Sequence, residues 1–301
     1  MQRPDTITQL AADLVRVIAP NPSPMTFWGT NSYILGMGRE RVLIDPGPIS
    51  GPHADALHSV LPDGARVSHI LVTHAHKDHS AGARHMAQAT GAPIYAFGDA
   101  LAGRSDTMKA LAETFNLGGG EGVDLDFTPD ICLGDGETLH TAAGQITALH
   151  TPGHMGNHLC FAWQGRLFSG DLIMGWSSSL ISPPDGDAET FRSSCQALLA
   201  RRDGPLYPGH GDALETAHAR ITSLLDHRAQ RETQVLQALS SKNSTLPEIT
   251  QAVYGDLNPF TFQAAMRNTF AHLIDLQQQY KVSATPSLSE TAVFSLVNDK
   301  V

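Results

Sequence analysis

Three histidines and an aspartate fall within six positions of the stretch ILVTHAHKDHSAG, residues 70–82, directly after an apolar run. His74 and His76 are two apart at the end of that run, so a strand's period of two sends both imidazoles to one side. Two adjacent nitrogen donors are how a metal site begins. Asp78 and His79 follow where the strand should have ended, ahead of Ser80 and Gly82, which permit a turn into a helix. Their side chains can aim at a second point nearby, so one segment can feed two ions. A lone histidine is more often a hydrogen-bonded core residue or a solvent-facing one. His53, His58, His69, His85, His140, His218, His227 and His272 are read that way.

A metal site needs closure from elsewhere in the chain. The candidates are TPGH (151–154), SGD (169–171) and YPGH (207–210), each at the end of a strand-like run. They offer His154, Asp171 and His210, and the neighbouring Gly153, Gly170 and Gly209 relax the backbone so that each loop can bend inward. Pro-Gly-His alone is more often a turn than a ligand. Its repetition in this order, behind THAHKDH, is harder to explain by turns.

The elements that must position these residues are short. LVRVI (14–18), NSYILG (31–36), RVLIDPG (41–47) and SHILVTH (68–74) read as strands between Pro- and Gly-rich turns. QITALH (145–150), HLCFAW (158–163) and RLFSGD (166–171) form a later set, with Gly165 placed to turn a hairpin. Helical stretches near 53–60, 80–90 and 188–201 interrupt them, which suggests a layered α/β or α+β domain with helices outside the sheets. Residues 100–130, containing LGGGEGVDLD, read as a loop or lid. Past residue 211 the pattern becomes long-period helical, which divides the chain into a large domain, 1–211, and a small one, 212–301. In the small domain, Thr245 and Glu248 make a capping box and Gly255 can stop the helix. NPFTFQAAMRNTFAHLIDLQQQY supplies a third helix before two short strands, KVSAT and TAVFSLV. Three helices and a hairpin in this order describe a winged-helix module.

THAHKDH, TPGH, SGD and YPGH in succession resemble the metallo-β-lactamase superfamily, whose signature is HxHxDH followed by His, Asp and His ligands. The resemblance implies a four-layer αββα sandwich with two metal ions at one edge. It assigns His74, His76 and His154 to the first ion, Asp78, His79 and His210 to the second, and Asp171 to a bridge between them. VLIDPG is similar to the family's early strand, in which Asp45 would orient a ligand; a buried structural role stays open beside it. The tail is similar to that of a subgroup that includes mitochondrial β-lactamase-like endoribonucleases, and SPPDGD (182–187) is similar to that subgroup's loop. Met155 and Asn157 in TPGHMGNH, and the stretch GWSSSL, depart from the pattern.

Such a site needs no serine or cysteine nucleophile. Two divalent ions ~3.5–4 Å apart share a water and lower its pKa from ~15.7 towards ~7, presenting a bridging hydroxide at neutral pH. Neutral imidazoles with few carboxylates suit zinc, while iron or manganese also accept such a set. Asp78 is the catalytic candidate, orienting the hydroxide and taking its proton as the tetrahedral intermediate collapses. His158 is read first as structural and second as a support behind the ligands.

The formal net charge of −10 argues against a polyanionic partner. Residues 212–301 carry seven Lys/Arg and nine Asp/Glu, and the third helix of the tail has Arg267 as its only Lys or Arg. A single-strand endoribonuclease and a winged-helix DNA-binding regulator with a vestigial metal domain are therefore the alternatives. The leading expectation is a metal-dependent hydrolase of a small ester, thioester or lactone. The tail is expected to pack over the catalytic face or to form a homodimer contact. Phe260, Phe262, Met266, Phe270, Leu273 and Leu276 are read as its own core. Residues 21–30, 100–125 and 175–187 are expected to line the pocket. Three cysteines at wide spacings, no signal-like N-terminus and no run of ~20 apolar residues lead to the expectation of a cytoplasmic protein without membrane partners.

Overall fold

In the computed structural model, which describes residues 4–114 and 122–297, alternating side chains sort the strands' two faces into two different cores. The first sheet contains β1 (Ile7–Ala11), β2 (Leu14–Ile18), β3 (Asn31–Leu35), β4 (Glu40–Ile44), β5 (Arg66–Leu71), β6 (Ile94–Ala96) and β7 (Ile131–Cys132), in that spatial order. It is antiparallel from β1 to β4 and parallel from β4 to β7. The second contains β8 (Thr138–Thr141), β9 (Gly144–His150), β10 (Leu159–Trp163), β11 (Arg166–Gly170) and β12 (Leu206–Pro208), with β12 parallel at the far edge.

On β10, Leu159, Phe161 and Trp163 face the space between the sheets, where they meet Tyr33, Leu35, Val42 and Ile44. Cys160 and Ala162 face outward onto Phe191 and Cys195. Burial on both faces is why this strand reads as a continuous apolar run, and each large side chain removed from water there stabilises the fold by ~1.5–3 kcal/mol. The outer face of the first sheet is covered by α1 (Gly51–Ser59) and α3 (Ala83–Thr90), through Leu57, Ala83 and Met86. The outer face of the second is covered by α5 (Ala188–Leu199) and by the first half of α6 (Ala217–Leu239), through Phe191, Leu198, Ile221 and Leu224. The layers are therefore helix, sheet, sheet, helix. Between α1 and α3 lies the four-residue α2 (Lys77–Ser80), and α4 (Asp106–Ala112) precedes β7.

The last part of the chain adds β13 (Ser244–Thr245), α7 (Leu246–Tyr254), α8 (Pro259–Gln278), β14 (Val282–Thr285) and β15 (Val293–Leu296), the strands pairing in the order β13-β15-β14. The capping box of Thr245 and Glu248 is formed, and α7 stops at Gly255. Val235 and Leu239, from the second half of α6, join Ile249, Phe270, Leu273 and Phe294 in a separate core. One 23-residue helix therefore runs through two cores.

Three local expectations need correction. β5 ends at Leu71, so His74 and His76 lie in the loop beyond it and not on a strand's alternating face. The segment 100–130 is not wholly a loop, because α4 lies in it and sends Met108 and Leu111 into the C-terminal core. Its glycine run reaches into residues 115–121, outside the described residues. Phe260 does not belong to the tail's core, since it is 58% exposed. No helix among the described residues is long and apolar enough to cross a membrane.

Candidate metal centre

The loop after β5 is held by the loop after β4. Asp45 sits at a φ of 51°, a left-handed conformation that aspartate tolerates better than most residues. From there its Oδ1 accepts from the Thr73 amide at 2.7 Å and its Oδ2 from the Thr73 hydroxyl at 2.8 Å. His76 then caps α2 with its backbone, the amides of His79 and Ser80 both donating to the His76 carbonyl at 2.9 Å. One bent segment thus presents His74, His76, Asp78 and His79 together.

His154 comes from the loop after β9, Asp171 from the end of β11 and His210 from the end of β12. All seven side chains singled out from the sequence converge. They form three groups whose donor atoms lie within 4.8 Å of one another: His74, His76 and His154; His74, His79 and Asp171; Asp78, His79 and His210. In the first group, His76 Nδ1 lies 2.9 Å from His74 Nε2 and 3.0 Å from His154 Nε2. In the last, Asp78 Oδ2 lies 3.3 Å from His79 Nε2 and 3.2 Å from His210 Nε2. Asp171 stands between them, 3.3 Å from His210 Nε2, 3.5 Å from His79 Nε2 and 3.8 Å from His154 Nε2.

The far side of each ring decides which nitrogen faces the centre. His79 Nδ1 donates to Asp45 Oδ2 at 2.8 Å, His154 Nδ1 to the Leu180 carbonyl at 2.8 Å, and His210 Nδ1 to the Gly29 carbonyl at 3.2 Å. In each ring the outward hydrogen bond keeps a proton on Nδ1, so that Nε2 is the nitrogen turned to the centre and the one whose lone pair a cation would take. Asp45 thus orients His79. Gly209 is required by closeness, because a Cβ there would lie 2.3 Å from Asp171 Oδ1. His158 is fully buried, packed against His74 at a ring separation of 5.3 Å and away from the cavity, so its role is structural support.

The charges divide the centre. Burial lowers the His76 pKa to about 3, and burial with the neighbouring histidines pushes His74 well below the imidazole range. Burial also opposes protonation of His79 and His210, but Asp78 and Asp171 outweigh it, raising His79 well above its ordinary value and His210 to about 9. Burial likewise opposes the charge on Asp78, but His79 and His210 prevail and hold that carboxyl well below the usual range. Asp171 Oδ1 is buried and has no hydrogen-bond partner. Converging imidazole lone pairs, two carboxylates and that orphaned oxygen fit divalent cations.

A cavity of about 440 Å³ opens above these residues. Pro24, Met25 and Thr26 line one side, and Met174, Trp176, Ser177, Ser178 and Leu180 another, within or beside the two segments expected there. Among the described residues, Gly122 is the lining residue contributed by the segment 100–125. Trp176 stacks on Phe27 at 4.9 Å, joining the two sides. The last wall is one face of α8, on the tail expected to pack over the catalytic face; sequence reasoning did not single out its residues, Phe260, Gln263, Ala264 and Arg267, for that role. Their i, i+3, i+4, i+7 spacing was the available signal. The tail also holds the loop that carries Leu180. Arg220 Nε donates to the Met174 carbonyl at 2.7 Å, Arg228 to the Ser179 carbonyl at 2.5 Å, and Asn268 Oδ1 accepts from the Ile181 amide at 3.1 Å. Thr30, which donates to Asp78 Oδ2 at 3.0 Å, also went unnoticed. The two departures in TPGHMGNH have structural roles: Met155 is buried in the first core, and Asn157 donates to the Asp99 carbonyl at 2.9 Å.

Residues 25–210 match the family described as Metallo-beta-lactamase superfamily. The chain is 30% identical over 294 residues, 94% of each protein, to the beta-lactamase-like protein 2 homolog of Drosophila melanogaster. It is 29% identical over 274 residues, 85% of this chain and 79% of the relative, to an atrochrysone carboxyl ACP thioesterase of Claviceps purpurea (strain 20.1). Among solved structures, a metallo-beta-lactamase family protein from Thermus thermophilus superposes with a TM-score of 0.76 at 22% identity, over 96% of this chain and 100% of that one.

Proposed function

The chain belongs to the metallo-beta-lactamase superfamily, and from that premise we propose that it is a dinuclear metal-dependent hydrolase of a small ester, thioester or lactone. The observation that carries this reading is the convergence of seven nitrogen and oxygen donors at the floor of a mostly apolar cavity. His74, His76 and His154 would hold one ion, Asp78, His79 and His210 the other, with Asp171 between them, and zinc suits this donor set best. Two such ions supply a lowered water pKa and a Lewis acid for the carbonyl oxygen.

The chain's own groups do the rest. Asp78 is ionised and partly open to the cavity, so its carboxylate can orient the attacking water and accept its proton. Thr30, donating to Asp78 Oδ2, fixes which oxygen remains free for that task. The Trp176–Phe27 stack and Met25 present apolar surface to the acyl portion of a substrate. Among these substrates the thioester is favoured by the thioesterase named among the relatives. The C-terminal segment, which we read as a winged-helix-like module from residue 212 onward, contributes a wall of the same cavity instead of a nucleic-acid surface. Its excess of acidic over basic residues supports that role.

The test is metal analysis together with hydrolysis of a small panel of thioesters, esters, lactones and RNA. Two bound divalent ions per chain and a thioesterase activity lost in His76→Ala are expected. A purified protein without bound metal, or an activity unchanged in His76→Ala, would sink the proposal.

A further inference from the structure

Arg267 differs from the arginines around it. Arg192 pairs with Asp275, Arg220 and Arg228 donate to backbone carbonyls, Arg231 donates to the Val253 carbonyl and Arg104 pairs with Asp185. Arg267 has neither an ion pair nor a hydrogen bond among the described residues; Arg104, Arg228 and Arg231 also have a buried Nε without a partner, but their terminal nitrogens are engaged. Among the described residues it is also the one Lys or Arg that lines the cavity. Phe260 lies two turns before it on the same face, 58% exposed at the cavity. The rest of the α8 lining is Gln263 and Ala264, neither of which brings an opposing charge.

A guanidinium whose donors are unused among the described residues, at the wall of an apolar cavity, is built for an oxyanion. Asp78 and Asp171 do not fill that role, because each is engaged with His79 and His210 at the floor. We propose that Arg267 is a specificity-determining residue: it binds a carboxylate or phosphate on the substrate, remote from the scissile carbonyl, while Phe260, Trp176 and Met25 cover the apolar stretch between the two. This rests on the hydrolase reading above and narrows it to amphiphilic acyl thioesters or esters that carry an anion. In the thioester case water's oxygen joins the acyl carbon, the carbon–sulfur bond breaks, and the proton released by water ends on the thiolate. Arg267 takes no part in that exchange; it sets which substrate is held.

The experiment uses the metal-loaded full chain and three matched thioesters of octanoyl length. One is the neutral N-acetylcysteamine ester, one bears a terminal carboxylate on the acyl chain, and one bears the phosphate of phosphopantetheine on the thiol. Wild-type protein is expected to show a lower KM for one of the charged members, and which one names the source of the oxyanion. Arg267→Gln should raise that KM about tenfold with kcat little changed and leave the neutral ester as it was, while Arg267→Lys regains part of the loss. Equal effects on charged and neutral esters, or no preference in the wild type, would overturn the assignment. A second readout does not depend on turnover: tryptophan fluorescence titrated with octyl phosphate, octanoate and octanol, since Trp176 lines the cavity. Tighter binding of an anionic probe than of octanol, lost in Arg267→Gln, supports the site even if no ester is hydrolysed, an outcome that would count against the hydrolase alone. Identical titrations in wild type and Arg267→Gln would remove it.

Discussion

The two halves of the centre are built from the same kind of ring but supported differently. His74, His76 and His154 chiefly face one another's imidazoles, with Asp171 3.8 Å from His154 Nε2, and are held from behind by a threonine hydroxyl and a loop carbonyl. His79 and His210 face Asp78 and Asp171, and His79 is backed by Asp45 as well. The first half keeps its rings neutral because burial and mutual repulsion oppose a proton. The second attracts protons because carboxylates outnumber those penalties. One half therefore depends on shape and the other on charge, and a cation entering the second must displace protons to bind.

The largest effect should come from the residue that belongs to neither half alone. Asp171→Asn is expected to loosen both ions and to lower hydrolysis on the order of 10³-fold, the loss of several kcal/mol of charge stabilisation. Metal content after dialysis and kcat/KM would show it, and loss of only one ion would mean that Asp171 belongs to a single half. Next, Asp45→Asn removes the acid behind His79 and should weaken metal affinity at the second half by about 10–100-fold. Competition with a chelator reads this, and equal weakening of both ions would erase the distinction between the halves. Smaller again, Arg228→Gln frees the loop whose Leu180 carbonyl accepts from His154, so the first half should lose affinity by a few-fold at most, on the scale of one ordinary hydrogen bond.

The smallest effect at neutral pH lies behind the second half. The Ser32 hydroxyl donates to the Asp45 carbonyl and accepts from His53 Nε2, while His53 Nδ1 is buried without a partner. Burial lowers the His53 pKa to about 4. The unfolded chain takes up that proton near pH 6.5 and the folded chain near pH 4. The stability that His53 contributes is therefore complete above pH 6.5 and is lost as the pH falls towards 4, on the order of 3 kcal/mol in all. Urea titrations from pH 7 to pH 4 should show the decline, and His53→Gln should make it shallower, the rest coming from buried histidines such as His76 and His272.

Much of this was legible in the sequence because the donors are carried by local signals. Histidine spacing, the glycines beside His154, Asp171 and His210, and the apolar runs of β2, β3 and β10 are each contained in a few residues. The short strands β6 and β7 were not legible, since two or three residues carry no period and owe their pairing to neighbours distant in the chain. The paired positions of His74 and His76 were inferred from strand alternation, yet the Asp45–Thr73 clamp is what presents them. Phe260 and Phe270 sit on one amphipathic helix, and sequence alone did not say that one faces the cavity and the other the core. That depends on where α8 docks, a property of contacts far apart in sequence.

The continuity of α6 has a mechanical consequence. A 23-residue helix is about 35 Å long, and its two ends are embedded in different cores. It acts as a common beam: the wall that carries Arg267 cannot swing away from the metal-binding floor without bending a helix or tearing Ile221 and Leu224 from their packing. The metal-binding floor and the α8 wall are thereby coupled, and a single melting transition is expected for the two cores.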